Sequence, residues 1–463
     1  MAMNPQWKTP LTRVEQIELS VASAIEHGAS APGMRLPSIR KQATLLGVSP
    51  FTVAEAYDRL VARGMIESRR GSGFFVRSRT PRQIPGAPLM TELPVDEHWL
   101  LRNVYNQPDQ GLPAGCGWLP PDWYDREAQQ RALRAVARLA APSAEYGDPR
   151  GFRGLRTWLA HTLSDKGILL NEQEILLTQG ASSALHIASA CLARPGETVF
   201  VDDPGYCNIL SNLAFHGIQV VGVPWTSEGP DTAAMAELLK RHRPKAFITN
   251  PWLQNPTGAS YTTQTAHQVL TLAEQHDFYV VEDNVSAELA DWPQPTLAAM
   301  DGLARVIYIG SFSKSLSPAL RVGYLAARGP LHEQMTRFKM MTGMTSPELN
   351  ERIILAMLQE SRQRRYLERL RNRLSQAQFR CADQFAAIGW QVFTRPSNGL
   401  FLLARPTVPH DSLALTRSAR AAGFLLAPGN LFRPGSEVSP WLRFNVAFCQ
   451  DTSLWDFLRT FNL

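Results

Sequence analysis

The sequence predicts an α/β chain in which a small helical domain precedes a larger domain built on a mainly parallel sheet. Three observations carry this. Past Pro121, short apolar runs at Ile175–Leu177, Thr198–Val201, Gln219–Val223, Ala246–Thr249, Phe278–Val281 and Val306–Ile309 alternate with helical stretches, the pattern of strands covered by helices on both faces. Residues 1–80 hold 11 Lys and Arg against 6 Asp and Glu, while the rest of the chain holds 36 against 35, so the net charge of +6 belongs almost wholly to the N-terminal segment. Between them, eight prolines from Pro81 to Pro121 with little periodicity mark a stiff tether.

At 463 residues the chain exceeds one compact core, and the length suggests about three domains. With 44% hydrophobic and 19% charged residues and no long uninterrupted apolar run, no membrane span is expected. Met1–Pro10 lacks the basic start and apolar core of a secretion signal. The cysteines at 116, 191, 207, 381 and 449 are odd in number, far apart and without a C-x-x-C, and the histidines do not cluster. A cytoplasmic protein without a metal site is therefore expected.

In the N-terminal segment Val14, Ile17, Val21, Ala24 and Ile25 recur at helical spacing, and Gly28 is expected to stop that helix. Ser38 is placed to cap a second helix running through Leu46, and Gly47-Val48-Ser49 turns into a third, whose Val53, Ala56, Tyr57 and Leu60 form a buried stripe. Two helices joined by a short glycine turn make a helix-turn-helix, whose second helix enters the major groove of double-stranded DNA N-terminus first. Ile66–Val76 reads as a hairpin whose tip, Arg69-Arg70-Gly71-Ser72-Gly73, offers two arginines to phosphates or a minor groove. The run Arg35-Leu36-Pro37-Ser38-x-Arg40, Val48-Ser49-x-x-Thr52-Val53, Ala56-Tyr57, Gly64 and Arg70-Gly71-Ser72-Gly73-x-Phe75-Val76 resembles the winged helix of GntR-type bacterial repressors over residues 11–78. That resemblance implies operator contacts at Arg35, Ser38, Arg40, Ser49 and Thr52, with Gly71 and Gly73 shaping the wing.

In the larger domain the informative residues follow strand ends, where ligands bind in open α/β sheets. After Val306–Ile309 comes Ser311-Phe312-Ser313-Lys314, with Arg321 beyond. A lysine at a strand end with an arginine nearby is partly a free amine nucleophile, and the two serines and guanidinium suit a phosphate. This points to pyridoxal phosphate. The S-x-x-K of serine acylases also fits Ser311–Lys314, but its S-D-N and K-T-G companions are absent. After Leu177, Gly180-Ala181-Ser182 opens an apolar helix with free N–H groups for a phosphate. After Val201 comes Tyr206, able to stack on a flat ring; after Thr249, Asn255, an amide for a phenolic oxygen; after Val281, Glu282-Asp283, a carboxylate for a pyridine nitrogen.

Together with Tyr146-Gly147-Asp148-Pro149-x-Gly151, Asn398-Gly399-x-Phe401, Pro428-Gly429-x-x-Phe432 and Leu442-Arg443-Phe444, these residues resemble fold type I pyridoxal-phosphate aminotransferases over roughly 110–463. The resemblance implies a smaller α+β C-terminal subdomain and an internal aldimine on Lys314. It implies Asp283 at the ring nitrogen, Asn255 at the phenolic oxygen, Tyr206 on the ring, and Ala181, Ser182, Ser311, Ser313 and Arg321 around the phosphate. Arg443 would bind an effector or substrate carboxylate, and Tyr146 would reach the phosphate of a neighbouring subunit in a homodimer. The expected boundaries are a winged helix at 1–78, a proline-rich linker at 79–110 and an aminotransferase-like domain at 111–463, with a large subdomain at about 140–340 and a small one at about 341–463 plus 111–139.

One departure stands out: Val285 and Ser286 occupy the place where many relatives carry a tyrosine bonded to the phenolic oxygen, which puts efficient transamination in question. A winged helix of this kind fused to an aminotransferase-like domain resembles the MocR subfamily of bacterial regulators. The expected function is a transcriptional regulator that senses an amino compound, or pyridoxal phosphate itself, through Lys314. A catalytically active aminotransferase with an accessory winged helix remains the alternative.

Overall fold

The computed structural model describes residues 12–26, 30–77, 111–139, 145–290, 296–395, 397–408 and 410–462. The expected linker at 79–110 and the helix stop at Gly28 lie outside them. The chain divides into two compact units, Met1–Glu92 and Leu93–Leu463.

In the first unit, α1 (Arg13–Glu26), α2 (Ile39–Leu46) and α3 (Pro50–Ala62) precede a hairpin of β1 (Ile66–Arg69) and β2 (Gly73–Val76). Local chemistry accounts for each boundary. Ser38 accepts the Lys41 N–H at 3.3 Å and starts α2, Gly47 ends it in the left-handed region (φ 64°), and Ser49 accepts the Thr52 N–H at 3.1 Å and starts α3. The predicted stripe of Val53, Ala56, Tyr57 and Leu60 is fully buried, packed with Ile17, Leu36, Ile66 and Val76. Arg63 ties α3 to α1 through Glu18 at 2.8 Å.

The second unit holds an eight-stranded sheet and a four-stranded one. In the larger, β3 (Ile175–Thr178), β4 (Thr198–Asp203), β5 (Gln219–Thr226), β6 (Gly229–Pro230), β7 (Pro244–Thr249), β8 (Tyr279–Asp283), β9 (Val306–Ser311) and β10 (Gly323–Ala326) lie in the order β3-β10-β9-β8-β7-β4-β5-β6. The run from β9 to β5 is parallel, as expected; β10 and β6 run antiparallel to their neighbours. Strand β10 is not among the predicted runs. It has only four residues, and its glycine start reads as a loop. That glycine is required, because a Cβ on Gly323 would stand 2.6 Å from the Gly180 carbonyl carbon and 2.7 Å from the Ala181 nitrogen.

The smaller sheet, β11 (Trp390–Val392), β12 (Phe401–Pro406), β13 (Ala427–Pro428) and β14 (Leu442–Asn445), is antiparallel in the order β11-β12-β14-β13 and packs on the 25-residue helix Gln363–Ala387. Residues 111–119 lie on this sheet. The Gly115 N–H donates to the Leu425 carbonyl at 2.7 Å and the Asn445 N–H to the Ala114 carbonyl at 2.6 Å. A Cβ on Gly115 would come within 2.3 Å of the Ala427 nitrogen, so only glycine permits this approach.

Candidate cofactor site and nucleic-acid interface

A cavity of about 650 Å³ opens where β4, β7, β8 and β9 end, and it gathers residues more than 300 positions apart in sequence. Ala181, Ser182, Tyr206, Asn255, Asp283, Ser311, Ser313, Lys314, Arg321 and Arg443 all line it. Tyr146 does not; it stands on the surface, 78% exposed.

Strand alternation decides between the two carboxylates that end β8. Glu282 is fully buried and accepts the Leu297 and Ala298 N–H groups at 3.2 and 2.8 Å, which commits it to the scaffold. Asp283, on the opposite face, lines the cavity, and among the described residues its buried Oδ1 has no hydrogen-bond partner. Burial raises its carboxyl to about 7. Lys314 is pushed down to about 8, chiefly by desolvation and then by the Arg443 charge, so a fraction is neutral amine near pH 7. Its Nζ donates to the Gly117 carbonyl.

The phosphate end is assembled from backbone as much as side chains. The helix Ala181–Leu192 begins at Gly180 (φ 78°) with no side chain capping it, so its first N–H groups face the cavity end of the sheet. Ser311 Oγ donates to Ser313 Oγ at 3.2 Å, and Arg321, in a left-handed backbone (φ 52°), makes among the described residues only long hydrogen bonds of 3.4 to 3.5 Å with Ser313 Oγ, the Pro318 carbonyl and the Gln179 carbonyl. A guanidinium held this loosely keeps donors for an anion.

Arg443 is 3% exposed on β14, lies between the Phe401 and Phe432 rings at 4.6 and 4.7 Å, and donates to Asn255 Oδ1 at 2.7 Å and the Gly115 carbonyl at 2.6 Å. Its buried Nε has no partner among the described residues. The sequence reading missed Asn250, which holds the site together. Its amide donates to the Asp283 carbonyl at 2.6 Å, its Oδ1 accepts the Asn255 N–H at 2.8 Å, and its own N–H donates to Asp202 Oδ2 at 2.8 Å. Its one signal was to be the first polar side chain past the apolar β7 run. Gly117 and Trp118 were missed because nothing local shows that 111–119 returns to the cavity. Val285 and Ser286 line the wall, and among the described residues Tyr206 is the only tyrosine on it.

An unpartnered carboxylate oxygen, an uncapped helix start beside a loosely held arginine, and a lysine that is in part a neutral amine fit pyridoxal phosphate in charge and in donor set. Residues 113–461 match the family model of class I and II aminotransferases, and residues 13–76 match that of bacterial regulatory proteins of the gntR family. The chain belongs to the class I and II aminotransferases and carries a GntR domain at its N-terminus. This pairing is the organisation of the MocR subfamily, so the protein is a pyridoxal-phosphate-dependent, DNA-binding transcriptional regulator. Similar proteins are the uncharacterized HTH-type transcriptional regulator YdcR of Escherichia coli, 28% identical over 95% of this chain and 96% of the relative, and the probable rhizopine catabolism regulatory protein MocR of Rhizobium meliloti, 26% identical over 85% and 82%. Among solved structures, the α-aminoadipate aminotransferase LysN of Thermus thermophilus, complexed with N-(5'-phosphopyridoxyl)-L-leucine, superposes with a TM-score of 0.68 at 26% identity, over 74% of this chain and 89% of that one.

On the GntR domain, the hydroxyls of Ser38 and Ser49 are engaged as helix caps, and Ser49 Oγ lies 2.7 Å from Thr52 Oγ1. Arg69 is paired with Glu67 at 2.7 Å and lies over the Phe75 ring. Arg40 and Arg70 are exposed, and Arg35 bridges to Phe75 of the wing, where Gly71 and Gly73 adopt φ of 77° and 99°.

Proposed function

We propose that the aminotransferase domain of this regulator senses a small amino compound and passes the event to the GntR domain through residues 111–119. The observation that carries this is that Lys314 and Arg443 both donate to backbone carbonyls of that one segment, Gly117 and Gly115. Bound pyridoxal phosphate supplies an aldehyde carbon that amines attack and a ring that withdraws electrons. Asp283 holds the proton on the ring nitrogen, Asn255 meets the phenolic oxygen, Tyr206 covers the ring face, and Ala181, Ser182, Ser311, Ser313 and Arg321 hold the phosphate. Arg443 receives the effector carboxylate. With the cofactor bound, Lys314 would already be directed away from the Gly117 carbonyl, so an arriving effector acts through Arg443, which gives up the Gly115 carbonyl to hold the carboxylate and loosens the segment that the linker enters.

Tyr146 reaches the phosphate site of a second copy in a cytoplasmic homodimer. It is exposed beside Gly147, where an added Cβ would stand 2.8 Å from Glu348 Oε2, and the segment that holds Glu348 also exposes Met340, Met341, Met344 and Leu349.

The experiment titrates the purified full-length protein with amino acids while its visible cofactor absorbance and its affinity for operator DNA are followed together. One compound should shift the band and change operator affinity about 5- to 150-fold, with no turnover on adding a keto acid. A band shift without any change in operator affinity overturns the coupling. Steady consumption and regeneration of the band by keto acid overturns the sensor in favour of an aminotransferase.

A further inference from the structure

Helix α3 is poor in the side chains that read bases by hydrogen bonds. From Pro50 to Ala62 it holds no Asn, Gln or Lys, and its one arginine, Arg59, sits in the third turn, 2.7 Å from Glu55 and 3.9 Å from Glu18. Beyond the first turn the side chains off the core stripe include the carboxylates of Glu55 and Asp58, which DNA phosphates repel. Only the first turn is therefore suited to enter a major groove, the end that helix-turn-helix proteins insert. There the polar groups are largely engaged with one another. Ser49 Oγ accepts the Thr52 N–H and shares one hydroxyl proton with Thr52 Oγ1 at 2.7 Å, and Pro50 has no N–H. What remains presented is the ring of Phe51, 78% exposed.

An aromatic ring on the leading turn of a helix that enters the major groove has one apolar feature to meet there, the thymine 5-methyl group. Arg40 and Lys41 on α2 and Arg70 on the wing supply the cationic surroundings that bring a duplex to this face. We propose that Phe51 reads a thymine methyl in each operator half-site, so that part of the sequence preference of this regulator is apolar. The inference rests on α3 being the groove-entering helix of the GntR domain. Because no ion is released when a ring meets a methyl group, this contribution is independent of salt, unlike that of the arginines.

The test uses full-length protein with its cofactor. Duplexes are selected by repeated binding from a random-sequence library, and each thymine of the selected site is replaced singly by deoxyuridine, which removes only the methyl group. One replacement per half-site should weaken binding about fourfold, the worth of one buried methyl group. Phe51→Ala should bind the thymine and deoxyuridine duplexes equally, with an unchanged slope of affinity against salt, and Phe51→Leu should keep part of the preference. Selection without a sequence preference, or a site tolerant of every deoxyuridine, overturns the proposal. So does a deoxyuridine penalty that persists in Phe51→Ala. If Arg40→Ala leaves DNA affinity and salt slope unchanged, the premise that this face meets DNA fails instead, which separates the two.

Discussion

The GntR domain and the cofactor cavity treat polar groups in opposite ways. On the GntR domain the polar side chains are exposed and locally satisfied: Ser38 and Ser49 cap helices, Arg69 pairs with Glu67, and Arg59 pairs with Glu55. In the cavity the key groups are buried and incompletely satisfied: among the described residues Asp283 Oδ1 and Arg443 Nε have no partner, and burial holds Asp283 at about 7 and Lys314 at about 8. A phosphate backbone is met by many weak, solvated interactions, none of which is worth much desolvation. A single small cofactor must be met by few groups, and desolvation makes each of them strong and chemically poised.

The sharpest way to break this contrast is at Lys314. Lys314→Ala should lose the visible cofactor band entirely while the protein keeps its fold; a retained band would end the assignment. Next is Asp283→Asn, which should weaken cofactor binding about 10- to 100-fold, the worth of a charge-assisted hydrogen bond of about 1.5–3 kcal/mol. The same variant tests the burial argument by its sign. Asp283 titrates at about 7 in the folded chain against an ordinary 3.8, so the folded apoprotein binds the extra proton and loses stability as pH rises through that window. The cofactor-free Asn variant should melt above the parent at pH 8 and close to it at pH 4, and a gap independent of pH would show that the carboxylate is solvated after all.

Effects on the GntR domain should be smaller and local. Arg40→Ala should weaken binding to all duplexes alike, with the cofactor spectrum untouched. The slope of log affinity against log salt should fall by about 0.9 for each phosphate that the arginine neutralises. Ser49→Ala should lower the stability of the GntR domain by about 1 kcal/mol through removal of the α3 cap, read in its thermal unfolding. A drop in cofactor content in either variant would count against the separation drawn above.

Much of this was legible in the sequence because it is written at short range. The caps at Ser38 and Ser49, the Val53, Ala56, Tyr57 and Leu60 stripe and the six predicted sheet strands follow from side-chain preferences and periodicity over a few residues. The cavity residues at strand ends were legible for the same reason, since an open α/β sheet places loops at known ends. Strand β10 escaped because four residues opening on a glycine carry too little pattern, and Asn250 because its three hydrogen bonds reach Asp202, Asn255 and Asp283 across three strand ends. The sequence by itself determined which segments are helices and strands and which side chains are available for chemistry, because those depend on neighbours in the chain. Only the tertiary structure decided that Glu282 is committed to the Leu297 and Ala298 N–H groups, that Arg443 lies between two rings, and that residues 111–119 close over Lys314. Burial, and with it the strength of every polar interaction in the site, is set by atoms that meet only after the chain has folded.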